Sequence, residues 1–320
     1  MLITALYQKV SMKIFALLLS LFYAANGAAA APSTEAPIKS EQANMSFVAI
    51  ADSQVSTYLF SRYKTFVSAA QDIVNNAGSF DALCFVGDIA ENGLAEEFQL
   101  VYDGIKDADC RFITATGNHD IRIRSYKQSS KRFADFTNAL NGDEAMEKMH
   151  YTQVVNGYKF IVLGSDRTEF EEAYLSPEQL AWLDSELAAE SGSGKPVFVL
   201  CHQPLAYTHG LPDVWNSPIE SAGSVGAQSD ELRAILGKYE NVFLISGHEH
   251  TGFGQYTYQE IDGFHSINLP SFGITNKDGE YNDPGTGYVV EVYDDAVVFK
   301  ARDFGKGIWL PDYDLALPIK

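Results

Sequence analysis

Short apolar runs alternate along the chain with longer stretches of helical spacing. The runs "SFVAIAD" at 46–52, "ALCFVGD" at 82–88, "FITATGN" at 112–118, "FIVLGSD" at 160–166, "VFVLCH" at 197–202 and "VFLISGH" at 242–248 have the length of buried strands, not helices. Apolar residues recur at helical spacing over Tyr58–Ala77, Leu94–Asp107, Tyr126–Leu140, Pro177–Glu190 and Ser229–Lys238, and Ser176 with Pro177 is a strong helix start. This alternation predicts an α/β sheet with helices packed outside it. The last third changes character: "GYVVEVY" and "AVVFKARDF", set off by Gly, Asp and Asn turns, predict an antiparallel flank. No internal repeat is present.

The apolar runs also end alike. Beyond their carboxyl ends stand Asp52, Asp88, Asn118, His202, and His248 with His250. In open α/β sheets, ligands gather at that end because the loops there meet over one rim. Singly these signals are weak, since "GD" and "GN" are common turns and a lone histidine is more often a hydrogen-bonded structural residue. "GHEH" is stronger: histidines two apart on an extended segment project to the same side and can serve adjacent metals, whereas on a helix they diverge. Four of the seven histidines, His119, His202, His248 and His250, fall at these strand ends.

Size and charge narrow the class. A chain of 320 residues, 46% hydrophobic and 20% charged, has the balance of a soluble globular protein with a sizeable core. Lys9 and Lys13 precede the apolar run Ile14–Tyr23, which exits through Ala28–Ala31. That order predicts a secretory signal peptide over residues 1–30, with Met12 an alternative initiator. An uncleaved anchor is the competing reading, but Asn26 and Gly27 interrupt a stretch already short for a span. The expected product is therefore exported, periplasmic or secreted, with no membrane anchor after cleavage. Its formal charge moves from −19 to 21 − 42 = −21 once the two leader lysines are gone. Such a surface repels polyanions, so nucleic acid is not an expected partner. Three cysteines are too few for a disulfide framework, and a Cys84–Cys110 pair stays open. Oligomeric state is not set by these features.

Taken in order, Asp52-Ser-Gln54, Gly87-Asp88, Gly117-Asn-His-Asp120, Val199-Leu-Cys-His202 with Pro204, and Gly247-His-Glu-His250 resemble the calcineurin-like metallophosphoesterase family, which includes purple acid phosphatases. The resemblance implies a two-layer β-sandwich flanked by helices (α-β-β-α), with a dinuclear site at one rim hydrolysing phosphate esters of a small phosphorylated substrate. It covers 46–305 as the catalytic domain, leaving 31–45 as a linker and 306–320 as a C-terminal tail. Carried over by position, Asp52, Gln54, Asp88 and His250 face a first metal, and Asp88 bridges to a second held by Asn118, His202 and His248. Two divalent ions sharing a carboxylate lower the pKa of a bridging water and neutralise phosphoryl charge. His119 is then the candidate group that protonates the leaving oxygen or stabilises the transition state, with Glu91 as the acid that orients it. Asp120 either joins them or caps the following turn.

Gln54 departs from the family's usual histidine. Two readings stand side by side: coordination through the amide oxygen, a harder donor that tilts the choice among Mn, Zn, Fe and Co toward Mn²⁺, or a hydrogen bond to Asp52 or to a metal-bound water. Purple acid phosphatases carry a tyrosine where Glu91 stands, so tyrosinate-iron chemistry is not expected. Asp-x-Gln followed by a Tyr/Arg-bearing helix, here "YLFSRYKTF", resembles manganese-dependent ADP-ribose/CDP-alcohol pyrophosphatases, which makes a diphosphate substrate the alternative. Asn92 stands where phosphoprotein phosphatases have a phosphate-gripping arginine, which disfavours that class. Residues 205–227 form a long loop, either a packed connection or a recognition element offering Tyr207, His209 and Trp215. A non-catalytic metal sensor and a metal-free secreted β-sandwich are the readings from other classes.

Overall fold

The computed structural model describes residues 43–76, 79–143, 146–219 and 221–320; the leader and most of the linker lie outside them. Strand β1 (Met45–Ile50) is followed by helix α1 (Phe60–Asn75), β2 (Ala82–Val86), α2 (Ala95–Ile105), β3 (Arg111–Ala115), the single turn α3 (Asn118–Ile121) and α4 (Tyr126–Asn141). A hairpin of β4 (Tyr151–Val155) and β5 (Tyr158–Val162) leads to α5 (Pro177–Glu190), β6 (Val197–Leu200), α6 (Ser229–Leu236) and β7 (Val242–Ser246). The remainder is β8 (Tyr258–Ile261), β9 (Phe264–Asn268), β10 (Thr286–Val292), β11 (Ala296–Asp303), β12 (Ile308–Trp309) and β13 (Leu315–Pro318). The predicted strands and helices are all present; the six leading strands stop short of the polar residues that close their runs, and the helix Pro177–Glu190 keeps its predicted bounds.

One sheet has the order β12-β11-β10-β1-β2-β3, with β13 also on β11, and the second has β4-β5-β6-β7-β9-β8. Strands β1, β2 and β3 run parallel, as do β5, β6, β7 and β9, while β10 and β11 form the antiparallel flank. The segment 306–320, expected as a tail, continues this sheet: β12 and β13 both pair with β11. Its Pro- and Gly-broken sequence carries too little alternation to announce strands.

Side-chain alternation explains why continuous apolar runs suit these strands. In β1, Phe47 and Ala49 point between the sheets, while Val48 and Ile50 pack under the helices. In β6, Phe198 and Leu200 point inward, whereas Val197 and Val199 meet the other helical layer, as does the following Cys201. The inter-sheet core centres on Phe47, whose ring stands edge-on to Phe160 at 5.1 Å and Phe198 at 4.9 Å. Helices α1, α2 and α4 cover one sheet, α5 and α6 the other, giving the expected α-β-β-α layering. The three cysteines are free thiols, with Cys84 and Cys201 buried. Among the described residues no helix is long and apolar enough to cross a membrane.

Candidate metal centre

The carboxyl ends of the two sheets meet at one rim, stitched together by the backbone of the very segments that carry the donors. The His202 carbonyl accepts from Gly247 N–H at 2.9 Å, and Asp52 Oδ2 accepts from the His248 backbone N–H at 2.9 Å. Two donor groups form there. Asp88, His202 and His248 make one, Asp52, Asp88 and His250 the other, with the ligand atoms of each group within 4.8 Å of one another. Asp88 belongs to both. Its Oδ1 lies 3.3 Å from His202 Nε2, and His250 Nε2 is 3.1 Å from Asp52 Oδ1.

Three glycines make this approach possible. A Cβ on Gly117 would stand 2.0 Å from Asp88 Oδ1, one on Gly247 would stand 2.5 Å from Asp52 Oδ2, and one on Gly87 would strike His202 at 2.5 Å. Five of the seven expected ligands also hold left-handed backbone: Asp52 (φ 55°), Gln54 (38°), Asp88 (49°), His248 (75°) and His250 (51°). Non-glycine residues adopt that region at a cost that concentrates at functional sites. A sharp reversal after each strand aims the side chain back over the rim.

The donor chemistry fits divalent cations. His202 Nδ1 donates to the Val86 carbonyl at 2.8 Å, which leaves Nε2 as the nitrogen that faces the site, where a cation would take the place of its proton. That nitrogen lies 3.2 Å from His248 Nδ1, a juxtaposition of two basic nitrogens beside carboxylates that a cation satisfies. Asn118 gives its Nδ2 to the Phe170 carbonyl and to Glu171 Oε2, both at 3.0 Å, while its buried Oδ1 has no partner. An orphaned amide oxygen in such a place is a ligand atom in waiting. Gln54 turns Nε2 toward Asp88 Oδ2 at 3.1 Å and accepts from Arg62 at 3.3 Å through Oε1; in this orientation it hydrogen-bonds the shared carboxylate.

The electrostatics follow from burial and crowding. Burial works to raise the Asp88 carboxyl, but His202 and His119 outweigh it and hold the group well below the ordinary range. Burial likewise pulls His202 down and is overcome by Asp88 and Asp52, which push it up to about 10. His248, buried and beside His202, is driven well below its usual value. Opposite displacements on two adjacent imidazoles are what a cluster of bare donors produces.

His119 sits beside this cluster. Its backbone N–H donates to Asp88 Oδ1 at 2.9 Å, and its ring Nδ1 faces the Glu91 carbonyl at 2.9 Å, with Glu91 Oε2 at 3.4 Å. Glu91 therefore orients the ring mainly through its main chain. Arg122 lies 3.1 Å from His119 Nε2, a hydrogen bond that only the neutral ring can accept. Burial lowers the basicity of the ring, whereas Asp88 and Glu91 draw it up to about 9; protonation would release Arg122 toward Glu91 Oε1, 3.4 Å away. Asp120 takes the turn-capping role, accepting from Ala90 N–H and Gly117 N–H, both at 2.9 Å.

Of the other cleft residues, Trp215 is a candidate of the 205–227 loop, while Glu171, Glu249 and Lys277 are invisible to spacing arguments. Glu171, Trp215, Glu249 and Lys277 line the cleft with Gln54, Asp88, His119, His248 and His250. Glu171 and Lys277 lie in loops without motif character, whereas Glu249 sits inside "GHEH". Trp215 stacks on His248 at 4.9 Å. Its loop neighbours do otherwise: Tyr207 is exposed, and His209 is fully buried between the Tyr256 carbonyl and the Ser266 hydroxyl. His150 and Asp166 are structural, Asp166 accepting from Ser176 at the start of α5.

A model of the calcineurin-like phosphoesterase family matches residues 45–252, which holds every expected donor. The chain belongs to that family. It is 29% identical over 176 residues to a probable glycerophosphodiester phosphodiesterase, GpdQ, of Arcobacter nitrofigilis, covering 53% of this chain and 56% of that protein. It is also 25% identical over 191 residues to a 3′,5′-cyclic-nucleotide phosphodiesterase of Nostoc sp., covering 59% and 63%. The chain thus spans between about half and two thirds of the length of these curated relatives. A dimetal phosphatase from Danio rerio shares the fold at TM-score 0.61 and 15% identity, over 87% of this chain and all of that one. A purple acid phosphatase from yellow lupin does so at TM-score 0.59 and 12% identity, over 86% and 53%.

Proposed function

We propose that this calcineurin-like phosphoesterase is an exported, metal-dependent phosphohydrolase that cleaves phosphate esters at two divalent cations. The observation that carries the reading is the pair of donor groups sharing Asp88. Asp52, Asp88 and His250, with Gln54 alongside, would hold one ion, and Asp88, Asn118, His202 and His248 the other. When bound, such ions lower the pKa of a water and neutralise charge on the phosphoryl oxygens. The chain's own residues do the rest. The Val86 carbonyl keeps the proton of His202 on Nδ1, so Nε2 stays a donor. The Glu91 carbonyl holds the His119 ring beside Asp88 through Nδ1, and the protonated ring would give its Nε2 proton to a leaving oxygen in the place Arg122 occupies. The curated relatives are named as phosphodiesterases, which favours a diester over a monoester.

A diphosphate is the second reading, favoured by Arg62 and Arg122, which converge on Glu91 next to His119 and offer charge for another phosphoryl group. Manganese is the proposed preference, resting on the amide of Gln54 in place of an imidazole. Export rests on the leader-like residues 1–30. The test is hydrolysis of bis-p-nitrophenyl phosphate, p-nitrophenyl phosphate and ADP-ribose by stripped protein resupplied with Mn²⁺, Zn²⁺ or Co²⁺. Diester turnover that returns with metal supports the proposal; two bound ions without turnover of any substrate would sink it in favour of a sensor.

A further inference from the structure

Among the described residues nine large apolar side chains are exposed, and five of them stand on the loops that deliver the candidate centre or on the helix start that follows one: Tyr58 (80%), Leu59, Phe60 at the head of α1, Ile123 and Phe170 (75%). The loops are tied to one another. Tyr58–Phe60 lies between Gln54 and Arg62, Ile123 follows Arg122, and both arginines meet Glu91. The Thr168 hydroxyl donates to the Ile121 carbonyl at 3.4 Å, and the Phe170 carbonyl receives Asn118. Clustered apolar exposure of this kind marks an interaction surface.

Charge identifies the partner. The chain carries 42 acidic residues against 23 basic ones, yet residues 53–71 and 121–130 contain no acid. They hold Arg62 and Lys64, then Arg122, Arg124 and Lys127, of which Lys64, Arg124 and Lys127 are exposed. The acids of the third loop are engaged elsewhere: Glu169 pairs with Arg167, Glu171 takes Asn118 and Glu172 takes Ser221. Apolar side chains interleaved with cations, on an otherwise strongly anionic molecule, match an anionic lipid–water interface. Tyr58, Phe60 and Phe170 could also stack on bases, but the net acidity of the chain disfavours a polyanion, and a single-stranded oligonucleotide is kept as an outcome of the test.

We infer that this rim docks on anionic lipid surfaces and that the substrate is a phosphate ester presented there; the second half rests on the hydrolase reading above. The full chain is tested with vesicles of phosphatidylglycerol/phosphatidylcholine and of phosphatidylcholine alone. A polarity-sensitive fluorophore on Leu59→Cys is expected to shift to the blue with the anionic vesicles. The same label on Val154→Cys, at the β4–β5 hairpin, is expected to stay unchanged. That comparison reads the rim whatever the leader does. Leu59→Ser/Ile123→Ser and Arg124→Glu/Lys127→Glu are each expected to weaken partition about ten-fold, with bis-p-nitrophenyl phosphate hydrolysis unchanged. No shift at position 59, equal shifts at both positions, or displacement from vesicles by a single-stranded oligonucleotide would overturn the docking. A rim that binds vesicles on a protein inert toward every soluble ester and toward the phosphatidylglycerol of the vesicles supports the surface and removes the hydrolase reading instead.

Discussion

Gly117→Ala is the sharpest probe of the centre because its effect is steric alone. Gly117 has φ −100° and ψ 176°, which alanine adopts freely, so no backbone strain enters. The added Cβ would lie 2.0 Å from Asp88 Oδ1 and 2.4 Å from the Asp88 backbone nitrogen, against a closest tolerated approach of 3.0 Å, so the shared carboxylate must retreat by about 1 Å together with the backbone that carries it. A displacement of that size at a reacting centre costs about 100-fold in kcat. Because Asp88 serves both donor groups, both ions should be weakened together. Gly247→Ala, whose Cβ meets Asp52 Oδ2 at 2.5 Å, should weaken the ion on the Asp52–His250 side first, and the other less, through the Asp52 contact with the His248 backbone. The assay is metal content by mass spectrometry after dialysis against Mn²⁺, with hydrolysis of bis-p-nitrophenyl phosphate and circular dichroism as the check on folding. A folded Gly117→Ala protein holding two equivalents of metal with kcat within about two-fold of the parent would refute the reasoning.

Three further outcomes are expected. His119→Ala should lower kcat by about 100-fold or more while leaving metal content intact; unchanged kcat would remove it from the chemistry. His209, pushed down by burial to about 4 from 6.5, is neutral when folded and takes a proton first in the unfolded chain. Its contribution is therefore complete above about pH 6.5 and is lost as pH falls toward 4, up to about 3 kcal/mol; denaturant midpoints at pH 7.5 and 4.5 should differ less in His209→Gln than in the parent. Arg302, nearly fully buried, holds Asp72 through two bonds of 2.7 and 2.9 Å that pin α1 to β11. Asp72→Ala should strand that charge and cost about 3 kcal/mol in unfolding free energy, and a loss below about 1 kcal/mol by urea denaturation would contradict the assignment.

The amino-acid sequence by itself determined the alternating strands and helices, because run length and spacing are local properties: the ranges 82–86, 177–190 and 242–246 all lie within the predicted runs. It also placed Asp52, Asp88, Asn118, His202, His248 and His250 at strand ends, since where a strand stops is written in its own residues. Only the tertiary structure decided what those ends meet. The Val86 carbonyl on His202, the Asp52 carboxylate on the His248 backbone and the clearance left by Gly117 join residues far apart in the chain or hinge on tenths of an ångström. The turn of Gln54 toward Asp88, the seat of Arg122 on His119, and the burial of His209 while Trp215 reached the cleft were likewise settled by packing. Local pattern fixes which groups arrive at the rim; the long-range register of two sheets fixes which atoms of those groups face one another, and coordination chemistry depends on the second.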